Sequence, residues 1–411
     1  MPEFLRLQSL AQAKSLFWQN LPPISLKVEK LDTRQALGRV LAHDVTSPEE
    51  SPAFNRSTVD GYAVRAADTF GASDALPAYL RLAGGVTMGR ETTLRLTGGE
   101  AALIHTGGML PEGCDAVVML EMTSTLSTGD IEIYKGVAPN ENVVLKGEDV
   151  RIGEVIFQRG RRVRAEEIAA LLALGINRVN VFSQPRVSIF SSGDEVIPPE
   201  RTPNGGQVRD INSYALEALV KQHGGLPSTY PIVPDDPRQL ERAIREVFAD
   251  SDLVIVTAGS SASERDMTAE VISRFGQPGV LVHGINVRPG KPTILAVCNG
   301  KPMIGLPGNP VSTLVIAHLF VTPLLQTLGG ESDPLPPPAI QATLAVNLPS
   351  TAGRDDFIPV RLLPQNDQWL ADPVFFKSSL IFTLAKADGL LHIPSQVTGY
   401  SAGDEVEVLL L

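Results

Sequence analysis

Phe190-Ser191-Ser192-Gly193-Asp194-Glu195, Thr257-Ala258-Gly259-Ser260-Ser261 and Leu306-Pro307-Gly308-Asn309-Pro310 each set a loop of small residues directly behind a short apolar run. Between Arg186 and Gly330 such runs alternate with amphipathic segments. The run at 187–190 precedes a helix around 214–222 that Gly224-Gly225 closes, and the run at 229–233 precedes a helix opening at Pro237 with Leu240, Ile244, Val247 and Phe248 on one face. The run at 253–256 leads to a helix from Met267 bearing Val271, Ile272 and Phe275, and the run at 303–306 to a long helix with Asn309 as N-cap and Pro310 at its first position. This alternation predicts a doubly wound parallel sheet. Its strand ends open on one edge, where open α/β sheets bind ligands. Bare backbone N–H groups and helix N-termini there suit a phosphate.

Outward from this core the texture changes. Leu10, Ala13, Phe17 and Leu21 have helical spacing, which predicts an opening amphipathic helix that stops before Pro22-Pro23. From about 40 to 160 the chain breaks into short alternating runs, such as 79–82, 116–119 and 131–134, and reads as β-rich. Arg164-Ala165-Glu166-Glu167 then opens a helix with Ile168, Leu171 and Leu172 on one face and a stop at Gly175. Pro334-Leu335-Pro336-Pro337-Pro338 reads as a stiff linker, and the alternation from Ala339 to Leu411 as a small β domain or barrel.

A chain of 411 residues divides into two to four domains, and its 43% hydrophobic and 20% charged content excludes a disordered chain. The net charge of -11 argues against a broad nucleic-acid surface, since neutralising phosphates requires a basic stripe. Cys114 and Cys298 have no CxxC partner and no nearby histidine, so neither a disulfide framework nor a zinc site is expected and both read as buried thiols. No apolar run is read as approaching bilayer length, and the N-terminus lacks the basic-then-apolar order of a signal peptide. The expectation is a cytoplasmic protein with no membrane or nucleic-acid partner.

Asp60, Asp149, Glu195, Asp235 and Asp266 each lie in or beside a turn marked by Gly or Pro. Loop acids can hold Mg²⁺, which takes one or two carboxylates plus water and substrate phosphate. Structural readings stand beside this one: Asp266 as an N-cap, Asp235-Asp236-Pro237 as a cap with Pro at the first position, Asp60-Gly61 as a turn. The small residues 257–263 let backbone N–H groups approach a phosphate but lack the Lys of a P-loop, and a flexible connector would look similar. Arg288-Pro289-Gly290-Lys291-Pro292 aims two cations from a stiff backbone, or is a solvated turn.

Phe54-Asn55-Arg56-Ser57-Thr58-Val59-Asp60-Gly61-Tyr62-Ala63, His105-Thr106-Gly107-Gly108-Met109-Leu110-Pro111-Glu112-Gly113 and Gly147-Glu148-Asp149 resemble, in order and spacing, the molybdopterin molybdenumtransferase (MoeA) family. Ser192-Gly193-Asp194-Glu195, Arg288-Pro289-Gly290-Lys291-Pro292 and Gly305-Leu306-Pro307-Gly308-Asn309-Pro310-Val311-Ser312 extend the match over nearly the whole chain. Gephyrin's C-terminal half belongs to the same family. The resemblance implies four parts: an elongated linking domain at 24–50 and 145–183, an inserted β-rich domain at 51–144, an α/β molybdopterin-binding domain at 1–23 and 184–330 that is similar to the molybdopterin adenylyltransferases, and a C-terminal β-barrel at 331–411. It also implies a homodimer whose active site lies between the α/β domain of one subunit and the inserted domain of the other.

The implied reaction takes adenylylated molybdopterin and molybdate, cleaves the pyrophosphate bond with loss of AMP, and places the metal on the dithiolene sulfurs. By this resemblance Asp60, Thr106, Asp149, Glu195, Asp235 and Asp266 are the catalytic set, with Glu195, Asp235 and Asp266 as Mg²⁺ ligands. Ser192, Gly193, Gly259, Ser260, Ser261, Ser263, Arg288, Lys291, Pro307, Gly308, Asn309, Arg354 and Ser378 are the implied substrate-binding set. A molybdopterin adenylyltransferase and a noncatalytic, gephyrin-like scaffold are the alternatives. Two departures stand out: Ala258-Gly259-Ser260-Ser261-Ala262-Ser263 replaces the family's Gly-Gly-Val-Ser-Val-Gly loop, and Gly284 and Arg288 stand where bacterial members often carry two lysines. Arginine does not exchange its proton near neutral pH, so position 288 is an anion clamp at most.

Overall fold

The computed structural model describes residues 7–258, 262–332, 337–366, 368–375 and 377–411, excepting the side chains of 262–266. The readings that fall on Gly259, Ser260, Ser261 and the Pro334-Leu335-Pro336 part of the linker lie outside the described residues.

A six-stranded sheet runs in the order Leu226–Thr229, Arg186–Ser191, Leu253–Ala258, Lys301–Pro307, Ile294–Cys298, Pro278–His283. The first four strands are parallel, and Ile294–Cys298 alone runs against them, pairing antiparallel with both Lys301–Pro307 and Pro278–His283, so the expected parallel sheet ends in antiparallel pairings. Chain length explains the edge. The excursion 284–293 is shorter than the dozen or so residues of a parallel crossover, and Asn299-Gly300, with φ of 50° and 80°, makes a tight hairpin turn.

Alternate strand residues feed two cores. Val187, Ile189, Leu253, Ile255, Ile304 and Leu306 face the helices Leu10–Gln19, Asn212–Gln222 and the helical run from Pro310 to Leu328. Phe190, Val254, Val256 and Met303 face the helices Pro237–Phe248 and Ala262–Ser273. The N-terminal helix is started by a capping box between Ser9 and Gln12 and is pinned by fully buried Ala13 and Phe17. Burying a side chain such as Phe17 contributes roughly 1.5–3 kcal/mol.

Several boundaries differ from the sequence reading. The edge strand is Leu226–Thr229 rather than 229–233, and beyond it Val233 returns to the sheet only as a single bridge to Ser192. The helix expected from Met267 begins at Ala262, so Asp266 lies inside it and is not its N-cap. The run Pro310–Leu328, with a π turn at Ala317–Val321, is long and apolar enough to cross a membrane by length and composition, which corrects the expectation that no apolar run reaches that length. Most of it is buried against the sheet as a core helix.

In the β-rich region, Ala116–Met119, Gly61–Val64, Glu100–Ile104, Ala78–Gly85, Asp130–Ile133 and Thr123–Thr125 form a second six-stranded sheet around Tyr62, Leu80, Val118 and Ile131. Val28–Asp32 pairs antiparallel with Arg178–Phe182, and the helix Ala165–Ala173 buries Leu171 beside Val181 and Leu41 while Leu172 stays exposed.

Toward the C-terminus, Asp355–Gln365 pairs with both Gln368–Pro373 and Gly389–Ile393. Ala339–Leu344 and Glu405–Leu410 complete the ring into a closed five-stranded barrel filled by Val360, Ala371, Leu391 and Val408. A sixth strand, Val287–Arg288, is lent by the α/β part and lies parallel to Asp355–Gln365. Cys298 is buried and Cys114 partly so, and burial pushes their thiols up to about 11 and about 12.

Candidate active site

The register Ser191↔Thr257↔Leu306 brings the ends of the three strands that precede the glycine-rich segments to one edge of the sheet. There the Ser192 N–H donates to the Thr257 carbonyl at 2.9 Å and the Gly193 N–H to the Val233 carbonyl at 3.2 Å. The Ser192 hydroxyl is buried and has no hydrogen-bond partner among the described residues. Leaving such a group unpaired costs about 1–3 kcal/mol, a cost that a ligand can relieve. Gly193 has φ of 150°, and a Cβ there would meet Glu195 Oε2 and Val196 Cγ2 at 2.7 Å. Only glycine lets the Glu195 carboxylate turn back over this loop. Asp194 and Asp235 face each other, each accepting the other's backbone N–H at 3.2 and 3.3 Å. The cap of the following helix is Asp236, which accepts from the Arg238 N–H at 2.8 Å. Asp235 is therefore not spent on capping.

At the third loop Pro307 ends its strand, and Asn309 occupies the N-cap position without a side-chain cap bond. The Val311 N–H donates to the Ser378 carbonyl at 3.1 Å, which seats a barrel loop on this edge. Asn212 Nδ2 donates to the Gly308 carbonyl at 2.8 Å. Asp210, buried, accepts from the Ser213 N–H at 3.1 Å, and the buried Ser213 hydroxyl has no partner among the described residues. These two line a cavity of about 440 Å³ together with Gly193, Asp194, Tyr214 and Tyr230. The sequence reading missed Asp210, Asn212 and Ser213 because it started their helix at 214. Three cap-forming residue types within four positions, Asp210, Asn212 and Ser213, were the available signal.

The two cations at 288 and 291 are exposed, whereas Pro289 and Gly290 between them are buried. Gly290 has φ of 116° and lies so close to Ile316 that a Cβ would overlap its side chain. Arg288 stands directly opposite Asp356 in the parallel ladder. Arg354 donates to Asp356 through Nε at 2.6 Å and Nη2 at 3.0 Å.

In the β-rich region the three N-terminal motifs lace together. The Ser57 N–H donates to Gly108, Gly107 to Ser57, Leu110 to Asn55, and Gly147 to Pro52, all at 2.8–3.0 Å. Asp60 accepts from the Thr106 N–H at 2.8 Å and its hydroxyl at 3.3 Å, with His105 Nδ1 at 3.4 Å. The Thr106 N–H first, then its hydroxyl and His105, hold the Asp60 carboxyl below its usual range. Asp149 receives the Ser51 hydroxyl at 3.5 Å and donates its N–H to the Ser51 carbonyl at 3.0 Å.

Three family models match consecutive stretches: the MoeA N-terminal region (domain I and II) at 8–175, a probable molybdopterin binding domain at 188–327, and the MoeA C-terminal region (domain IV) at 341–411. The putative molybdopterin biosynthesis protein of Methanocaldococcus jannaschii is 36% identical over 98% of both chains. The molybdopterin molybdenumtransferase of Haemophilus influenzae is 31% identical over 97% of this chain and 98% of its own. The chain belongs to the MoeA family. Two solved MoeA structures from Pyrococcus horikoshii agree: one has a TM-score of 0.79 at 38% identity, covering 98% of this chain and 99% of its own, and the other 0.85 at 30%, covering 99% and 100%.

Within this MoeA chain, Ser192, Gly193, Glu195 and Asp235 share the sheet edge with Pro307, Gly308, Asn309 and Ser378, and Arg288 stands opposite Asp356, which Arg354 bonds. Asp60 and Thr106 bond each other, and among the described residues no hydrogen bond or ion pair joins them to Ser192 or Glu195. Gly259, Ser260, Ser261 and the side chains of Ser263 and Asp266 lie outside the described residues. Among the described residues no group of three or more His, Cys, Asp or Glu is placed to hold a metal.

Proposed function

We propose that this chain is a molybdopterin molybdenumtransferase, acting in molybdenum cofactor biosynthesis by inserting molybdenum from molybdate into adenylylated molybdopterin with release of AMP. The observation that carries the reading is the Ser192 hydroxyl, buried and unpaired among the described residues, at the edge where the strand ends Ser191, Thr257 and Leu306 lie side by side and Ser378 docks nearby. A free hydroxyl and the Arg288 and Lys291 cations are equipment that a phosphate or oxyanion needs. Cleaving a pyrophosphate develops negative charge on phosphate oxygens, and fixed donors and cations there stabilise it.

Mg²⁺ suits the oxygen donors of this edge. Glu195, turned back over Gly193, and Asp235, opposite Asp194, supply the one or two carboxylates that Mg²⁺ takes alongside water and substrate phosphate. Bound there, it would neutralise charge on the pyrophosphate. Asp60 and Thr106, bonded together on a separate sheet, would complete the cleft from a second copy of the chain, which makes the working unit a homodimer.

The test is turnover. Purified protein given adenylylated molybdopterin, molybdate and Mg²⁺ releases AMP without consuming ATP, and a chelator stops it. ATP consumption would mark an adenylyltransferase instead, and substrate binding without AMP release a scaffold.

A further inference from the structure

Resting on that reading, we propose that Asp356 is a positioning residue, which with Ser350 fixes the Arg354 guanidinium as one jaw of an oxyanion clamp whose other jaw is Arg288. Residues opposite each other in a ladder point to the same face, and so do residues two apart along a strand. Arg288 and Asp356 therefore share one face of the Val287–Arg288 and Asp355–Gln365 strand pair, and Arg354, in the bend just before the second strand, is tied to that face by its two bonds to Asp356. Asp355, between them, points the other way and meets His392 Nε2 at 2.8 Å.

Asp356 is 2% exposed and fully engaged: one oxygen takes Arg354 Nε at 2.6 Å, the other Nη2 at 3.0 Å and the Ser350 hydroxyl at 3.0 Å. A bidentate pair fixes the guanidinium plane as well as its position. The edge bonded to Asp356 is spent, and Nη1, with the second hydrogen of Nη2, remains for a ligand. Arg354 keeps 27% of its side-chain surface exposed, so that free edge is reachable. Asp356 also cancels one of the charges of Arg288, Lys291 and Arg354, which leaves two net positive charges for a tetrahedral dianion such as molybdate.

Two roles for Asp356 predict opposite signs. If it only lowered the local potential, removing its charge would tighten anion binding. If it positions Arg354, the Asp356→Asn variant lets the guanidinium swing and binding weakens. The experiment is calorimetric titration of the full-length protein with molybdate, with thermal melting as the folding control. Wild type binds, Asp356→Asn binds about tenfold more weakly, Asp356→Glu recovers part of the loss, and Ser350→Ala weakens binding by a smaller factor. Unchanged or tighter binding by folded Asp356→Asn overturns the inference and leaves the transferase reading standing. Should that variant not fold, Ser350→Ala decides alone: wild-type affinity overturns the inference. A wild type that binds no molybdate overturns both.

Discussion

Replacing Ser192 by Ala separates a binding hydroxyl from a structural one, because the two roles move stability in opposite directions. The hydroxyl is buried beside the Thr257 strand end with no partner among the described residues, so the folded state carries a penalty of about 1–3 kcal/mol for it. Deleting one oxygen leaves a void smaller than a methyl group, which costs at most about 1 kcal/mol. Ser192→Ala is therefore expected to be neutral or more stable by about 1–2 kcal/mol, read from urea unfolding. Catalysis should move the other way. A hydroxyl donating to a charged phosphate contributes about 1.5–3 kcal/mol, so the KM for adenylylated molybdopterin should rise by roughly ten- to a hundredfold at about 1.4 kcal/mol per decade. A variant that loses more than about 1 kcal/mol of stability while keeping wild-type KM would refute the reasoning, since the hydroxyl would then be held by a structural partner.

Gly290→Ala should destabilise the protein by about 2 kcal/mol or more, since the residue has φ of 116° and its new Cβ would overlap Ile316; denaturant unfolding reads the loss, and an unchanged midpoint would mean that the 288–292 turn yields easily. His318 sets a pH dependence: burial first, with His223 adding, holds its imidazole down to about 4, whereas the unfolded chain protonates near 6.5. The unfolded state binds the extra proton between these values, so stability is complete above about 6.5 and falls as pH drops toward 4, by roughly 3 kcal/mol at most. His318→Gln should flatten that slope, compared by urea titrations at pH 7 and pH 4.5, and an unflattened slope would place the acid sensitivity elsewhere.

What the sequence shows and hides follows from the range of each interaction. The parallel core was legible because its signals are local: an apolar run, a small-residue loop, then a helix with Asp236 and Pro237, or Asn309 and Pro310, at its start. The pairing of Val287–Arg288 with Asp355–Asp356 joins positions nearly seventy residues apart through backbone bonds that leave no mark on either segment. The acids show the same limit at the scale of one side chain. A carboxylate that accepts an N–H reads alike whether it caps a helix or waits for a metal, and adjacent Asp235 and Asp236 could not be told apart until the helix took one of them. Asp355 and Asp356 are a parallel case, but here the pleat decides. Asp355 and Asp356 point to opposite faces of their strand, so Asp355 meets His392 and Asp356 takes the bidentate bond from Arg354 in the bend before it. Had the Asp355 to Gln365 stretch been read as a strand with its faces assigned, the separation of Asp355 from Asp356 would have been predictable before any coordinates, whereas the meeting of Asp356 with Arg288 would not.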